Sequence, residues 1–375
     1  MHHSKRTKIN HRERRERKTK RQFVIRNSSL IWIISVLCLS GCFESKEIGT
    51  DSRTFLGLDT PAGMIKYLRG QKLPALESVE IWHNEYGPGL KLTSKHYEIF
   101  TTLLEPSMLS ELADFMESAH HGYNSQLPEP IETTTKFTIY LFADRGQWED
   151  FTKSFAGQQA SVYCEIRSGA YYLNGACVAY DIGREQTFSV LGHEGWHQFN
   201  SRHFRLRLPS WLDEGIATLF ETYSSKQGSF EFKPGQNMNR LEALEKVLTK
   251  NKMMPLKELI AMNPGEVLAT SDEAVTAFYS QSYALVRFLR EADYGRRLGN
   301  YHRLLVDGLR GNWPLNEASK RIAANRNIRL TSRWNRAIGL LLFEHYISDD
   351  FEQIEEEYLA FCRKIVYPVR LKSQD

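Results

Sequence analysis

Two histidines and a glutamate lie close together in the chain with the spacing of a metal-binding site. The chain reads His-Glu-Gly-Trp-His at 193–197, inside a stretch, 187–200, that we predict to be helical. Because residues four apart share one helix face, the imidazoles of His193 and His197 can point at one ion. Glu194 is turned about 100° away, so it would flank the ion as a general base. A catalytic zinc needs three protein ligands, so another segment must supply the third.

A second segment, 209–221, contains the leading candidate for that third ligand. Glu214 lies on a predicted helix that begins after Pro209 and can pack against the first helix. Gly215 beside it permits two backbones to approach closely. Glu221 follows two turns later on nearly the same face. It either supports a ligand from behind or is an ordinary surface residue.

The second segment also resembles a known family. Its pattern Trp-Leu-x-Glu-Gly-x-Ala-x-x-x-Glu is similar to that of the gluzincin zinc metallopeptidases, a clan that includes aminopeptidase N and the thermolysin-type catalytic domain. The matching residues are Trp211, Leu212, Glu214, Gly215, Ala217 and Glu221. The resemblance implies one Zn²⁺ per chain, bound by His193, His197 and Glu214, with Glu194 as the catalytic base. The spacing from His197 to Glu214 is shorter than is usual in the aminopeptidase N family, which indicates a sister group.

A third segment resembles the part of that family that stabilises the reacting carbonyl oxygen. The chain reads Tyr-Ser-Gln-Ser-Tyr-Ala at 279–284, where the family has Tyr-x-x-Gly-Ala. The resemblance implies that Tyr279 donates a hydrogen bond to the tetrahedral oxyanion. Ser282 stands in place of the glycine, and Tyr283 follows it. Tyr283 therefore remains the alternative donor, and an ordinary core or surface tyrosine is the third interpretation.

The stretch before the metal-binding helix argues against an aminopeptidase. Aminopeptidases of that family carry a glutamate there, on the edge of the sheet, which holds the free amine of the substrate. The comparable stretch here, 169–174, has Tyr172 and no acidic residue. The resemblance also implies that this edge strand binds the substrate backbone as an added strand. We therefore expect an endopeptidase rather than an aminopeptidase.

These segments need a framework that brings them together, and the hydrophobic pattern predicts an α+β fold. Asn174-Gly175 predicts a two-residue turn between two short strands. The strands expected before the metal-binding helix are 96–102, 136–142, 169–173 and 176–180, and the helices are 107–123 and 145–155. The helices expected after it are 211–224, 238–249, 255–262, 272–293, 297–309, 315–325, 333–346 and 349–365. This pattern corresponds to a small mixed sheet with helices in a zincin-like catalytic domain, followed by an all-helical C-terminal part.

The same pattern divides the chain into five parts. We predict a signal peptide at 1–41, a tether at 42–60, an α+β half of the catalytic domain at 61–205, its helical half at 206–295, and a helical extension at 296–375. The two candidate metal-binding segments would then meet at the junction of the two halves. Junctions of this kind commonly form clefts.

The N-terminal stretch is typical of an exported bacterial lipoprotein. A basic region ends at Arg26, and the apolar run that follows, 30–39, is shorter than the roughly 20 residues that span a bilayer. The run leads into Leu-Ser-Gly-Cys, which resembles the lipoprotein box and implies that Cys42 is lipid-modified after cleavage. We therefore expect the protein at the bacterial cell envelope, lipid-anchored outside the cytoplasm. An uncleaved anchor helix or a misassigned start codon is the alternative.

The charge of the chain gives no support to nucleic-acid binding. The total is +4, but the first 41 residues hold 11 Lys and Arg against two Glu, a net +9, which leaves −5 for the rest. The expected mature protein is therefore mildly acidic. The partners we expect are a peptide or protein substrate and a membrane reached through the lipid anchor, and the oligomeric state stays open.

Several other side chains have more ordinary interpretations. Cys164 and Cys177 flank the predicted hairpin and could form a disulfide in an oxidising compartment, with two buried thiols as the alternative. Asp213 is interpreted as a charge near a helix start, and His203 as a surface residue. The remaining interpretations are a capping or surface pair for His120 and His121, core packing for Cys362, and packing between the two metal-binding helices for Trp196 and Trp211.

The sequence therefore favours a zinc metallopeptidase, with two alternatives. In the first, the chain keeps the gluzincin fold but serves as a catalytically silent binding or scaffold lipoprotein. In the second, the His-Glu-x-x-His pattern is accidental, because such a short pattern also arises by chance. The presence of all four expected residues, two His and two Glu, favours the enzyme.

Overall fold

The computed structural model of the protein describes residues 57–167, 169–226, 228–267, 271–327 and 330–372. The predicted signal peptide, Cys42 and most of the predicted tether lie outside these residues. Within the described ranges, no helix combines the length and the apolar character needed to cross a lipid bilayer.

The first part of the chain forms a sheet with helices on both of its faces. Its helices are α1 (Pro61–Arg69), α2 (Pro106–Asn124), α3 (Arg145–Phe155), α4 (Ala160–Tyr163) and α5 (Arg184–His203). Its strands are β1 (Ser78–Trp82), β2 (Gly89–Thr93), β3 (Tyr97–Thr101), β4 (Phe137–Phe142), β5 (Ala170–Leu173) and β6 (Ala176–Tyr180). The strands and helices predicted for this part are present, and β1, β2, α1 and α4 are additional.

The sheet has six strands in the order β1-β2-β3-β4-β6-β5. β3, β4 and β6 run parallel in the centre, whereas β1, β2 and β5 are antiparallel to their neighbours. β5 and β6 form the predicted hairpin, and its turn residues Asn174 and Gly175 have φ angles of 49° and 86°, as a two-residue turn requires. β5 is therefore an edge strand, and it lies beside the helix that carries the two histidines.

The two faces of the sheet hold separate cores, and this separation keeps Cys164 and Cys177 apart. Cys177 on β6 packs in the core on the α2 and α5 side. Tyr163 and Ile166, which flank Cys164, belong to the core on the α3 side. Both thiols are free, with Cys177 buried and Cys164 half-buried. The possible disulfide between them is therefore absent from this structure, because the sheet lies between Cys177 and the segment that carries Cys164.

The second part of the chain is mostly helical, with one short hairpin. Its helices are α6 (Ser210–Ala217), α7 (Met238–Thr249), α8 (Leu256–Ala261), α9 (Pro264–Val267), α10 (Asp272–Gly295), α11 (Leu298–Arg310), α12 (Glu317–Ala324), α13 (Ser332–Trp334), α14 (Leu340–Tyr346), α15 (Phe351–Ile365) and α16 (Tyr367–Lys372). The hairpin consists of β7 (Tyr223–Lys226) and β8 (Ser229–Phe232). The helix predicted at 211–224 is therefore too long, because the chain turns into a short 3₁₀ segment after Ala217 and then into β7.

One hydrophobic core joins the two parts of the molecule. It runs without a break from Leu58 through α2 and α5 to Val366 near the end of α15. α10 packs most extensively against α6 and α7, and its residues from Phe278 to Leu289 are all buried. The structure thus has a mixed α+β part and an all-helical C-terminal region, as the sequence predicts.

Candidate metal centre

Helix α5 places His193 and His197 side by side in the middle of the molecule. Its central residues are buried almost all the way round, because the helix lies between the sheet, α2 and α6. The centroids of the two imidazole rings are 5.0 Å apart. One helical turn separates the two residues, as the spacing predicts.

Helix α6 brings Glu214 to the same point. Its Oε2 lies 3.2 Å from Nε2 of His193 and 3.7 Å from Nε2 of His197. A Cβ atom on the neighbouring Gly215 would collide with the backbone carbonyl of Ser282 on α10. The close backbone approach expected at Gly215 is therefore present, but it is made to α10 rather than to α5, and it sets how deeply α6 can sit.

The three side chains fit a metal ion. One ligand atom from each lies within 4.8 Å of the other two, and all three residues are 0–3% exposed. Among the described residues, neither Nε2 of His193 nor the carboxylate of Glu214 forms a hydrogen bond of normal geometry. Such buried polar atoms are costly, and a cation would relieve the cost. Two imidazoles and one carboxylate are a ligand set that suits Zn²⁺.

Glu221 lies directly behind His193. Its Oε1 accepts a hydrogen bond of 2.9 Å from Nδ1 of His193, and its side chain is 7% exposed, so the surface interpretation of Glu221 is wrong. Arg240 on α7 donates to both carboxylate oxygens, at 2.6 and 2.8 Å, and Asn237 donates to Oε2 at 2.9 Å. Burial raises the pKa of Glu221, but Arg240 and His193 lower it to about 2. An ionised Glu221 therefore fixes the ring of His193 with Nε2 toward Glu214.

Asp213 lies behind His197, with a carboxylate oxygen against Nδ1 of the ring, as Glu221 lies behind His193. Its Oδ1 lies 3.2 Å from Nδ1 of His197 and accepts hydrogen bonds of 2.9 Å from Trp196 Nε1 and Asn200 Nδ2. The interpretation of Asp213 as a charge near a helix start is therefore incomplete, and sequence reasoning missed its contact with a candidate ligand. The available signal was the presence of three donors on one side of α5, at Trp196, His197 and Asn200, facing the helix that carries Asp213.

Glu194 is fully buried among the same charges. Burial raises the pKa of its carboxyl group, while His197 and His193 lower it and Glu214 raises it further. The backbone amide of Tyr172 on the edge strand β5 also acts on this carboxylate. Glu194 therefore lies between the candidate ligands and the edge strand, and a raised pKa suits a carboxylate that must take up and release a proton.

The structure separates the two tyrosines that were candidates for the oxyanion donor. Tyr279 is buried, and its ring lies 5.2 Å from the guanidinium carbon of Arg240. Its pKa is raised by burial and by Glu214 and lowered by Arg240, so it lies within the field of the candidate site. The hydroxyl of Tyr283 instead donates to the carbonyl of Pro234 at 2.6 Å and accepts from Arg287 at 2.8 Å. Tyr279 is therefore the better placed of the two.

Close packing joins the candidate site to α2 and to the C-terminal helices. Gly195 lies against the hydroxyl of Tyr123 on α2, and a Cβ atom would collide with it, so a helix passes close at this point. Trp196 does pack between the metal-binding segments, stacked on Phe220 at 6.3 Å. Trp211, in contrast, contacts Phe343 on α14 at 5.9 Å. It therefore joins α6 to the C-terminal helices.

Three other histidines, His96, His120 and His203, form a separate cluster near the C-terminal ends of α2 and α5. His120 is buried and stacks on His96 at 3.8 Å. The hydroxyl of Thr133 lies 3.0 Å from Nε2 of both His120 and His203. Burial lowers the pKa of each of these two histidines to about 4. The interpretation of His120 as a cap or surface residue and of His203 as a surface residue is therefore wrong, because both are structural polar groups.

Comparison with known proteins adds no family to these observations. No protein-family model matches this chain, and no curated protein matches it either. The likeness to gluzincin peptidases therefore rests on the residues themselves, and it bears on function only as a proposal.

Proposed function

We propose that the protein is a zinc-dependent metallopeptidase that hydrolyses peptide bonds with a water molecule. One observation carries the proposal. His193, His197 and Glu214 meet within 4.8 Å, and a carboxylate lies behind each histidine, Glu221 at 2.9 Å and Asp213 at 3.2 Å. Histidines that bind a metal usually donate their other ring N–H to such a carboxylate.

The chain's own residues can supply the remaining steps. A bound zinc ion supplies Lewis acidity that makes water deprotonate near neutral pH. Glu194, one residue after His193, is placed to accept the proton of the attacking water and to return it to the leaving amine. Tyr279, which senses the charge of Glu214, is the residue we propose as hydrogen-bond donor to the carbonyl oxygen as negative charge develops there. One such donor is worth roughly 3 kcal/mol.

The edge strand supports an endopeptidase over an aminopeptidase. Among the residues that the structure describes, β5 pairs on one side only, with β6, and an extended peptide can add to such an edge through backbone hydrogen bonds. The strand carries no acidic side chain at 170–173 to hold a free amine. We propose envelope proteins or peptides as substrates, because the N-terminal sequence suggests lipid anchoring at Cys42.

The decisive experiment is the Glu194→Gln substitution in the purified protein without its signal sequence. We expect this variant to bind one zinc per chain, measured by elemental analysis, and to lose cleavage of an unbiased peptide mixture, measured by mass spectrometry. Full cleavage by the variant would refute the proposal. The matched control is Glu117→Gln, which alters a half-buried carboxylate–histidine contact outside the site and should leave cleavage unchanged.

The closed form of the site favours one alternative, a silent binding or scaffold protein. Glu194 and Glu214 are both 0% exposed, so a substrate reaches them only if the surrounding elements move. The same experiment separates the two functions. Zinc at one per chain with no cleavage by the unmodified protein across the whole peptide mixture would favour the silent alternative.

A further inference from the structure

Arg240 contacts both sides of the proposed catalytic apparatus, although no sequence pattern drew attention to it. Its Nε and Nη2 atoms donate to the two carboxylate oxygens of Glu221 at 2.8 and 2.6 Å. The face of its guanidinium lies over the ring of Tyr279, 5.2 Å from the ring centroid. Glu221 in turn accepts from Nδ1 of His193. A continuous series of contacts therefore leads from a candidate metal ligand to the candidate oxyanion donor.

We propose that Arg240 is a positioning residue that couples the metal centre to Tyr279. This inference rests on the proposed function and deepens it. A planar guanidinium that binds a carboxylate with two parallel hydrogen bonds fixes both the position and the orientation of that carboxylate. When Glu221 is held in this way, its hydrogen bond with Nδ1 of His193 fixes the imidazole ring in one orientation. The two hydrogen bonds leave from the edge of the guanidinium, so one of its faces is available to lie over the ring of Tyr279.

The charge of Arg240 is permanent in this environment. Burial lowers its pKa, but Glu221, Tyr279 and Glu214 raise it, so the guanidinium stays protonated. It therefore transfers no proton and acts as a fixed charge beside the site. Burial and Glu214 raise the pKa of the Tyr279 hydroxyl, whereas the charge of Arg240 lowers it. Because a phenol with a lower pKa is a better hydrogen-bond donor, Arg240 favours donation by Tyr279.

The local fold explains why Arg240 can reach both groups. Asn237 caps α7 by accepting a hydrogen bond from the backbone N–H of Arg240, and it also donates to Glu221. The first turn of α7 is thereby pinned to the carboxylate. α10, which carries Tyr279, packs along α7. The guanidinium consequently lies between Glu221, which follows α6, and Tyr279 on α10.

The chain contains a matched control for this arrangement. Arg287 donates to both oxygens of Glu291 at 2.9 and 2.7 Å, and its guanidinium lies 5.3 Å from the ring centroid of Tyr283. The chemistry is the same, a guanidinium fork on a carboxylate and a face on a tyrosine, but no candidate metal ligand takes part. A general effect of losing such a contact on folding should therefore also appear in variants of Arg287, but be smaller there, because the side chain of Glu291 is 37% exposed against 7% for Glu221.

The test compares Arg240→Gln, Arg240→Lys and Arg287→Gln. Zinc affinity is measured by competition with a chelator of known affinity, which needs no substrate. We expect Arg240→Gln to weaken zinc binding 10- to 100-fold, as loss of an outer partner of a metal ligand does, and Arg240→Lys to weaken it less because the charge remains. We expect Arg287→Gln to stay within twofold of the unmodified chain.

Two double variants test the coupling itself. Because Arg240 acts on zinc through Glu221, adding Glu221→Gln to Arg240→Gln should weaken zinc binding little further. On a cleaved peptide at saturating zinc, Arg240→Gln should lower kcat with little change in KM, and adding Tyr279→Phe should not multiply that loss. If Arg240→Gln fails to fold, Arg240→Lys carries both measurements.

The outcomes distinguish this inference from the proposed function. Zinc affinity within twofold of normal in a folded Arg240→Gln variant, or fully additive effects with Glu221→Gln, would overturn the positioning role. Full activity of Glu194→Gln would refute the peptidase mechanism and leave the zinc-affinity result for Arg240 intact. An unmodified chain that binds no zinc would overturn both.

Discussion

Removal of the Asp213 carboxylate tests the metal centre most directly. In Asp213→Ala, the indole of Trp196, the amide of Asn200 and the ring N–H of His197 all lose their acceptor. A buried donor without a partner costs about 1–3 kcal/mol. Because the three donors share one oxygen, their costs do not simply add, and we expect a loss of roughly 3–5 kcal/mol in the free energy of unfolding. The ring of His197 would also lose its orientation.

The increase in the free energy of unfolding that zinc produces reports on the orientation of His197. The loss of stability without zinc reports on the unpaired donors. At a zinc concentration 100 times the dissociation constant, binding adds about 2.7 kcal/mol to the free energy of unfolding. If Asp213→Ala weakens binding 100-fold, the same zinc concentration adds only about 0.4 kcal/mol. In Asp213→Asn the retained oxygen still accepts the three bonds, so only the charge is lost. We expect that variant to lose about 1 kcal/mol of binding, roughly fivefold.

The assay is urea unfolding of each variant with and without zinc. Glu117→Ala is the control, because the carboxylate of Glu117 also accepts three hydrogen bonds, from Ser94 and from the backbone and ring of His96, at 2.6–2.7 Å, but it lies outside the centre. The Glu117→Ala variant should have a lower free energy of unfolding, but zinc should raise that free energy as much as in the unmodified protein. A full zinc increment in folded Asp213→Ala would refute the role assigned to Asp213, and with it the view that these contacts prepare the site for metal.

Two further predictions concern packing and pH. Gly195→Ala should destabilise the protein by roughly 1–2 kcal/mol in thermal unfolding, because the collision with Tyr123 outweighs the gain of about 1 kcal/mol in helix propensity. Gly299→Ala on α11, where a Cβ meets nothing within 4 Å, should not destabilise it, and equal effects at the two glycines would contradict this reasoning. The pKa values of His120 and His203 are lowered from 6.5 to about 4, so the unfolded chain binds more protons between these values, and stability should be present above pH 6.5 and fall as the pH drops toward 4. The loss from His120 is at most about 3 kcal/mol, and that from the half-buried His203 is smaller. A variant with glutamine at both positions should show a flatter pH profile, and an unchanged slope would refute this account.

Local patterns in the sequence predicted the parts of the molecule that depend on neighbours along the chain. The hairpin at Asn174-Gly175 and helix α5 are examples, because turn chemistry and helical spacing are local properties. The convergence of His193 and His197 follows from helix geometry alone. Glu214 was the leading candidate for the third ligand because it lies on a second predicted helix, and the family resemblance supported that choice. The structure brings the three side chains together.

The parts that sequence reasoning missed depend on contacts between distant segments. Whether Asp213 points at His197 is decided by the rotation of α6 relative to α5, which no spacing rule encodes. The hairpin β7–β8 replaced the end of a predicted helix because Phe230 and Phe232 pack on Phe115 of α2, at 5.3 and 5.7 Å. No sequence pattern indicated Arg240 for the same reason, since its partners Glu221 and Tyr279 come from the chain that follows α6 and from α10.

The contact between Gly195 and Tyr123 has a consequence for how this sequence can evolve. The two middle residues of a His-Glu-x-x-His pattern are free to vary as far as metal chemistry is concerned, but here one of them faces a tyrosine hydroxyl that itself donates to the carbonyl of Gly192 at 2.7 Å. A larger residue at 195 becomes acceptable only when that hydroxyl is gone. Positions 123 and 195 should therefore covary among descendants of this chain, with alanine at 195 accompanied by phenylalanine at 123.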